Sequence, residues 1–227
     1  MTAPRLRLTR SHADDLAAVC ELGREKLTQI GKTLDAIGLT IRPSKVEQAI
    51  ATQVDKQTAE VLARVLFGLA TLRRRSRAQI SELLDGVEES LASIRGNEAR
   101  VEALRACKSD IGQLLASTPV VMTAKALDLA YDFSQVFVGA RIITDIRPVF
   151  DEPQKDDIVG ATIVQTIKME SVDSEGTAHK ISIALDLDDV QQLKDSCEEA
   201  LRKAAAAKKL AEEDFGIETM IPGEEME

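Results

Sequence analysis

The chain has 227 residues, of which 44% are hydrophobic and 30% charged, while only 3% are aromatic and Trp is absent. This balance is typical of a globular protein with one large or two small domains, and the aliphatic composition favours helices. Residues 1–80 carry 14 basic and 8 acidic residues, whereas the rest carry 15 and 30. The residues after residue 80 are therefore strongly acidic. This argues against a protein that wraps nucleic acid, because Lys and Arg are needed to neutralise phosphate.

The sequence also bears on the compartment. No apolar run approaches the roughly 20 residues of a membrane span, and the first residues lack the apolar core of a signal peptide. We therefore expect a cytoplasmic protein. Cys20, Cys107 and Cys197 lie far apart at apolar positions of helical patterns. We expect buried, reduced thiols there, because no CxxC spacing for a metal or redox site is present.

Apolar residues recur at helical spacing through the first 130 residues. Ser11 and Asp14 resemble a capping box, and the stripe behind them predicts one long helix that ends at Gly38. Later stripes predict a helix that is broken near residues 55–58, and three more helices before residue 130. The first 130 residues are therefore predicted to form an all-helical bundle.

Beyond Tyr131 the pattern changes to β-branched and aromatic residues. Residues 135–150, 159–172 and 179–185 predict three strands, separated by a linker at 152–157 and a turn at 173–176. Asp186 is placed to cap a final helix. The predicted fold is α+β, with an all-helical domain (1–130), a β-β-β-α module (131–211) and a flexible acidic tail (212–227).

A three-stranded sheet has two faces, and a single helix can cover only one of them. We expect the final helix to cover the more apolar face. The opposite face also carries apolar residues, namely Ile143, Val149, Val164 and Ala184. A second copy of the module is the simplest cover for that face, because two-fold homodimers are the commonest soluble oligomers. The helical domain is the competing cover.

This order of elements, together with HKISIALDLDDVQQLKDSCEEALRKA at residues 179–204, resembles the COMM-domain proteins. The segment is similar to that family's last strand, acidic helix start and Leu-bearing helix, although the Trp that the family often carries on its first strand is missing. The resemblance implies an interaction protein without enzymatic activity. It also implies modules that pair face to face into intertwined dimers, and larger assemblies among eukaryotic members.

The stretch RIITDIRPVFDEP at residues 141–153 combines a strand pattern with charge. Arg141, Asp145 and Arg147 alternate on one face, where such a stripe is usually solvated or paired across strands. A functional version would hold Asp145 between both arginines inside an interface and set the register. Pro148 lacks an amide donor, which suits an edge strand. We interpret the stretch as a sheet edge with register-setting charge.

We therefore predict a non-enzymatic scaffold or adaptor that forms a homodimer or a larger assembly, with mixing with a paralogue left open. It needs no cofactor. The residues predicted to form the interface are Ile143, Asp145, Arg147, Val149, Val164 and Thr166, with Val190, Leu193, Cys197 and Leu201 closing the helix onto the sheet.

Two other classes of function stay open. The run Arg73–Arg77 could serve a nucleic-acid-associated regulator. It lacks interleaved aromatic residues, however, and a charge cluster at a helix C-terminus is the plainer account of it. An unrecognised hydrolase would need a site without a known catalytic signature. His12 and His179 are too few to predict a metal site.

Overall fold

A computed structural model of the chain describes residues 8–94, 96–151, 157–173 and 176–224. The chain divides into two compact units, the helical unit (Met1–Ala130 with Ala211–Glu227) and the sheet unit (Tyr131–Leu210). The fold is α+β, as predicted. Most of the predicted linker and part of the predicted turn at 173–176 lie outside the described residues. No described helix is both long and apolar enough to span a membrane.

The helices of the first 130 residues surround one aliphatic core. Their bounds are α1 Arg10–Glu21, α2 Gly23–Ile37, α3 Pro43–Ala51, α4 Lys56–Ser76, α5 Ile80–Ala92, α6 Glu98–Ala116 and α7 Thr118–Ala130. α4 packs against α1, α3 and α7, while α6 packs against α1, α2 and α5. The largest fully buried side chains are Leu27, Ile30, Leu34, Ile50, Leu62, Leu66, Leu83, Leu91, Leu104, Ile111, Leu114 and Leu115. Each contributes roughly 2 kcal/mol by leaving water.

The long helix predicted from residue 11 to Gly38 is wrong in one respect, because it is broken into α1 and α2. Gly23 adopts a φ of 75°, in the left-handed region that glycine enters without steric cost. The break lets both helices turn their apolar sides to the core. The first helix also begins earlier than predicted, since the N-cap is Thr9, whose side chain accepts from the His12 amide. Gly38 ends α2 as expected.

The break predicted near residues 55–58 is present but lies slightly earlier, at residues 52–55. α3 ends at Ala51 and α4 begins at Lys56. Asp55 is the N-cap of α4, and its carboxylate accepts from the Thr58 amide at 3.0 Å. This local bond satisfies one of the free amides of the first turn, which favours starting a new helix there.

The predicted antiparallel meander is also confirmed. The sheet contains β1 (Gln135–Phe150), β2 (Ile158–Asp173) and β3 (Ala178–Leu185) in the order β1-β2-β3. β1 is therefore an edge strand, as the Pro148 argument predicts. β3 pairs only with residues 165–172 of β2, so the far ends of β1 and β2 form a two-stranded ribbon. Irregularities in the pairing lie between Phe137 and Gly139 and between Val149 and Phe150.

The last helix, α8 (Leu187–Lys209), begins with the cap that the sequence predicts. The Asp186 carboxylate accepts from the Asp189 amide at 2.8 Å, and the Asp189 carboxylate accepts from the Asp186 amide at 3.0 Å. These reciprocal bonds form a capping box. The helix continues into a π-helical turn, Leu210–Asp214. No residue of α8 is buried. Packing within the chain therefore contributes little to the position of its first turn, which depends on the capping box.

The C-terminal segment differs from the free acidic tail predicted for residues 212–227. Its described part belongs to the helical unit. Glu218 bonds to the connection between α2 and α3, and Glu212 pairs with Arg42. Negative charge predicts a solvated tail, but here the acidic side chains have basic and amide partners.

Candidate protein-interaction surface

One face of the sheet is apolar and open to solvent. Direct pairs across the strands, such as Ile142 with Ile167 and Ile167 with Ile183, place like residues side by side. The apolar face comprises Ile142, Ile146, Ile163, Ile167, Met169, Ile181, Ile183 and Leu185. Ile146 is 72% exposed and Ile163 67% exposed. The polar pair Thr144 and Gln165 lies on the same face between these apolar pairs. Exposed apolar surface of this extent makes the face a candidate interaction site.

The opposite face, called here the mixed face, carries all six strand residues predicted for the interface. Ile143 pairs directly with Thr166, and Asp145 with Val164. Arg147 and Val149 follow at alternate positions of β1, so the structure brings the predicted set together. Asp145 forms no ion pair with either neighbouring arginine among the described residues. The arginine clamp on Asp145 is therefore not formed within one chain.

A charged pair lies at one end of the mixed face. The Lys180 ammonium lies 2.8 Å from the Glu170 carboxylate across β2 and β3. This hydrogen bond and the positive charges of Lys180 and Arg141 lower the pKa of Glu170. The pair is exposed, so its contribution to stability is small. It makes this end of the mixed face polar and confines the apolar part to the neighbourhood of Ile143 and Val164.

The helix residues predicted to close onto the sheet do not do so within the chain. Leu193, Cys197 and Leu201 are exposed, Leu201 at 73%, and Val190 is only half-buried. The prediction that α8 shelters the apolar face is therefore wrong for a single chain. The apolar stripe of α8 predicts that the helix packs on an apolar surface. It does not tell whether that surface belongs to the same chain or to a second copy. The expectation that Cys197 is buried fails for the same reason.

The residues of the apolar face are candidate interface residues that the sequence-based prediction omits. Their alternation identifies them as one face, as in Ile181 and Ile183 of β3. The sequence predicts them to be interior, because the final helix is expected to cover them. What could have indicated otherwise is the length of the strands, since β1 and β2 have 16 residues each and one helix cannot cover so long a ribbon.

A polar group at the end of the apolar face bears on the hydrolase alternative. His179 Nε2 lies 2.8 Å from Asp173 Oδ2, and Ser171 is the direct partner of His179 across the strands. The Ser171 hydroxyl, however, donates to Gln135 Oε1 at 2.8 Å. A nucleophilic serine has to donate to its general base. The group is therefore arranged as a polar strand end and not as a nucleophile with its base.

The basic run at the end of α4 is partly neutralised. The Arg75 guanidinium lies 2.9 Å and that of Arg74 3.4 Å from the Asp128 carboxylate. Their hydrogen bonds and charges, that of Arg75 first, lower the pKa of Asp128. A phosphate would have to compete with this carboxylate. No group of metal-ligating residues occurs in the part of the chain that the structure describes.

Two of the three cysteines form a buried pair in the helical unit. Cys20 Sγ and Cys107 Sγ lie 3.0 Å apart and join α1 to α6. The adjacent thiol and burial raise the pKa of Cys20, so this thiol stays protonated and unreactive. The prediction of buried, reduced thiols holds for this pair.

Comparisons with known proteins do not indicate a function for this chain. No protein-family model matches the chain, and no curated protein matches it significantly. What the chain can do is therefore inferred from the chemistry of its own surfaces.

Proposed function

We propose that this protein is a non-enzymatic scaffold or adaptor that dimerises through its sheet unit in the manner of a COMM domain. The observation that carries the proposal is that no described residue of the sheet unit is buried. A small sheet without a covered face is not stable by itself in water. A second copy can cover the exposed face. With two-fold symmetry each copy covers the sheet of the other.

In the proposed dimer the stripe of α8 packs on the apolar face of the other copy. Leu193, Cys197 and Leu201 supply the helix side of this contact. The eight side chains of the apolar face on each copy are partly exposed, and their burial would release on the order of 15 kcal/mol in total. That gain is comparable with or exceeds the roughly 4–15 kcal/mol that association costs.

The mixed face contributes specificity in this arrangement. Asp145 and Arg147 form no ion pair with any residue that the structure describes. In the dimer they would pair across the interface, which fixes the register of the two sheets. Val164 and Ile143 would pack beside them. The resemblance to COMM domains supports the intertwined form of the dimer. The three free cysteines support a reducing, cytoplasmic compartment.

The experiment is a mass measurement by light scattering on the full chain and on two variants. The wild type is expected at about twice the 24.7 kDa of one chain. Ile163→Asp places charge on the apolar face and should give a monomer. Val164→Asp, one residue along on the mixed face, should shift the mass partly toward the monomer because that face carries less apolar surface.

A wild-type monomer with an ordered sheet would refute the proposal. Dissociation by Val164→Asp but not by Ile163→Asp would reverse the roles of the two faces. A mass that doubles only after a paralogous chain is added would replace the homodimer by a mixed assembly.

A further inference from the structure

The connection between α2 and α3 forms a small cradle of hydrogen-bond donors. We define the cradle as Thr40, Ile41, Arg42 and Lys45. Thr40 is 1% exposed, and its carbonyl accepts from the Thr123 hydroxyl of α7 at 3.4 Å. Its own hydroxyl accepts from the Arg42 amide at 3.1 Å. The Thr40 hydroxyl proton is thereby directed away from Arg42, toward the groups that enter the cradle.

The carboxylate of Glu218 occupies this cradle. It accepts from the Thr40 hydroxyl at 3.0 Å, from the Ile41 amide at 2.8 Å and from the Lys45 ammonium at 2.6 Å. Burial opposes ionisation of Glu218, but these three donors together hold its pKa below the ordinary value. The cradle therefore binds a carboxylate in its charged form, through a buried hydroxyl, a backbone amide and an ammonium.

Arg42 extends the recognition to the backbone of the bound segment. Its Nε donates to the carbonyl of Thr219 at 3.0 Å, and its guanidinium also pairs with Glu212. The Thr219 hydroxyl donates to Glu212 at 2.6 Å and not to the cradle. The cradle therefore contacts the Glu218 carboxylate and the carbonyl of the next residue without using that residue's side chain, and Arg42 adds a pair with Glu212.

The apolar residues of the bound segment are only partly covered by the helical unit, since Met220 and Ile221 are half-buried. Phe215 is 65% exposed and Ile217 58% exposed. Its polar contacts are made by Glu212, Glu218 and Thr219, as in sites that capture short linear peptides through charge and backbone groups. A segment held in this way can be exchanged for another that offers the same groups.

We propose that the cradle is a binding site for a short acidic peptide of a partner protein, one that presents a glutamate and the carbonyl that follows it, and that the chain's own Glu218 segment is its resident competitor. The proposal gives the scaffold a class of ligand but does not depend on dimerisation through the sheet. The Ile163→Asp monomer should bind such a peptide equally well.

The test uses the full chain with the resident carboxylate removed, in the variants Glu218→Ala and Glu218→Gln. The probe is a fluorescent peptide with the sequence of residues 211–224, measured by anisotropy. Both variants should bind it at least about tenfold more tightly than the wild type, whose own segment competes at a high effective concentration. The same peptide with Gln in place of its central Glu should not bind.

Further substitutions assign the binding to the cradle. Lys45→Ala, added to Glu218→Ala, should weaken peptide binding about tenfold, the loss expected for one charge-assisted hydrogen bond. Lys56→Ala, which removes an exposed ammonium on α4, is the matched control and should have no effect. Circular dichroism melts verify folding, and the use of two Glu218 variants preserves the measurement should one of them unfold.

Two results would overturn the proposal. One is the absence of peptide binding by folded Glu218 variants, which would make the contact a purely intramolecular tether. The other is equal binding of the Glu and Gln peptides, since the cradle would then not read the carboxylate. Neither result would change the mass of the wild type measured by light scattering. The proposed dimer and the proposed peptide site are therefore tested independently.

Discussion

The two units of this chain use the same aliphatic residues with opposite results. In the helical unit Leu, Ile, Val and Ala side chains from all the helices of the first 130 residues meet in one buried core. In the sheet unit equally apolar residues such as Ile146 and Ile163 face solvent, and no described residue is buried. Seven helices can enclose a volume, whereas three strands and one helix leave surfaces open. Apolar composition therefore predicts that side chains will be buried. The arrangement of the helices and strands decides whether a single chain can bury them.

Cysteine reactivity should show the contrast most strongly. In the monomeric Ile163→Asp variant we expect Cys197 to react with a thiol reagent on the order of 1000-fold faster than Cys20 and Cys107, whose exposure requires opening of the helical core. The measurement is labelling followed by intact mass, with and without urea. In the wild type Cys197 should react more slowly, because the partner covers it. Rapid labelling of Cys107 in the folded protein would contradict the closed core.

Truncation of an apolar side chain to Ala should affect thermal stability differently in the two units. Leu104→Ala leaves a cavity in the helical core and should lower the free energy of unfolding of that unit by about 3 kcal/mol. Ile183→Ala removes a side chain that is 45% exposed in the single chain and would be covered in the proposed dimer, so part of its effect on the melting temperature should depend on protein concentration. Thermal melts over a hundredfold concentration range distinguish the two. The same concentration dependence for both variants would remove the distinction between the units.

The smallest expected effect is an acid dependence of the helical unit. Glu88 lies 2.7 Å from the Lys108 ammonium and 2.6 Å from the Arg105 guanidinium. The Lys108 bond and then the Arg105 bond lower its pKa from 4.5. A carboxyl whose pKa is lowered by folding stabilises the fold above that ordinary value, and this contribution is lost as the pH falls through the lowered pKa.

Glu88→Gln should therefore cost about 0.5–1 kcal/mol at neutral pH, the upper part of the range for surface ion pairs, because Glu88 and Lys108 are only partly exposed. The cost should disappear in strong acid, where wild type and variant converge. Helical-unit melts between neutral pH and the acid range measure this. A difference that persists in strong acid would mean that shape, and not charge, accounts for the effect of Glu88.

Local patterns in the sequence predicted much of the fold correctly. The capping position of Asp186, the break before α4, the three strands and their meander order all follow from residues close together in the chain. Helical and strand periodicities extend over a few residues, so a single sequence contains them in full. The break at Gly23 was missed because apolar spacing continues through it, and only the packing of α1 against α4 and α6 requires the turn.

The six strand residues of the mixed face could also be predicted as one group, because alternation alone places them there. The sequence by itself thus determined which residues share a face or a helix stripe. The tertiary structure decided what lies against each: α8 leaves the apolar face open, and the acidic C-terminal segment binds Thr40, Ile41 and Lys45 across more than 170 residues. Such contacts depend on distances through space, and neither periodicity nor charge specifies which distant surface a segment meets.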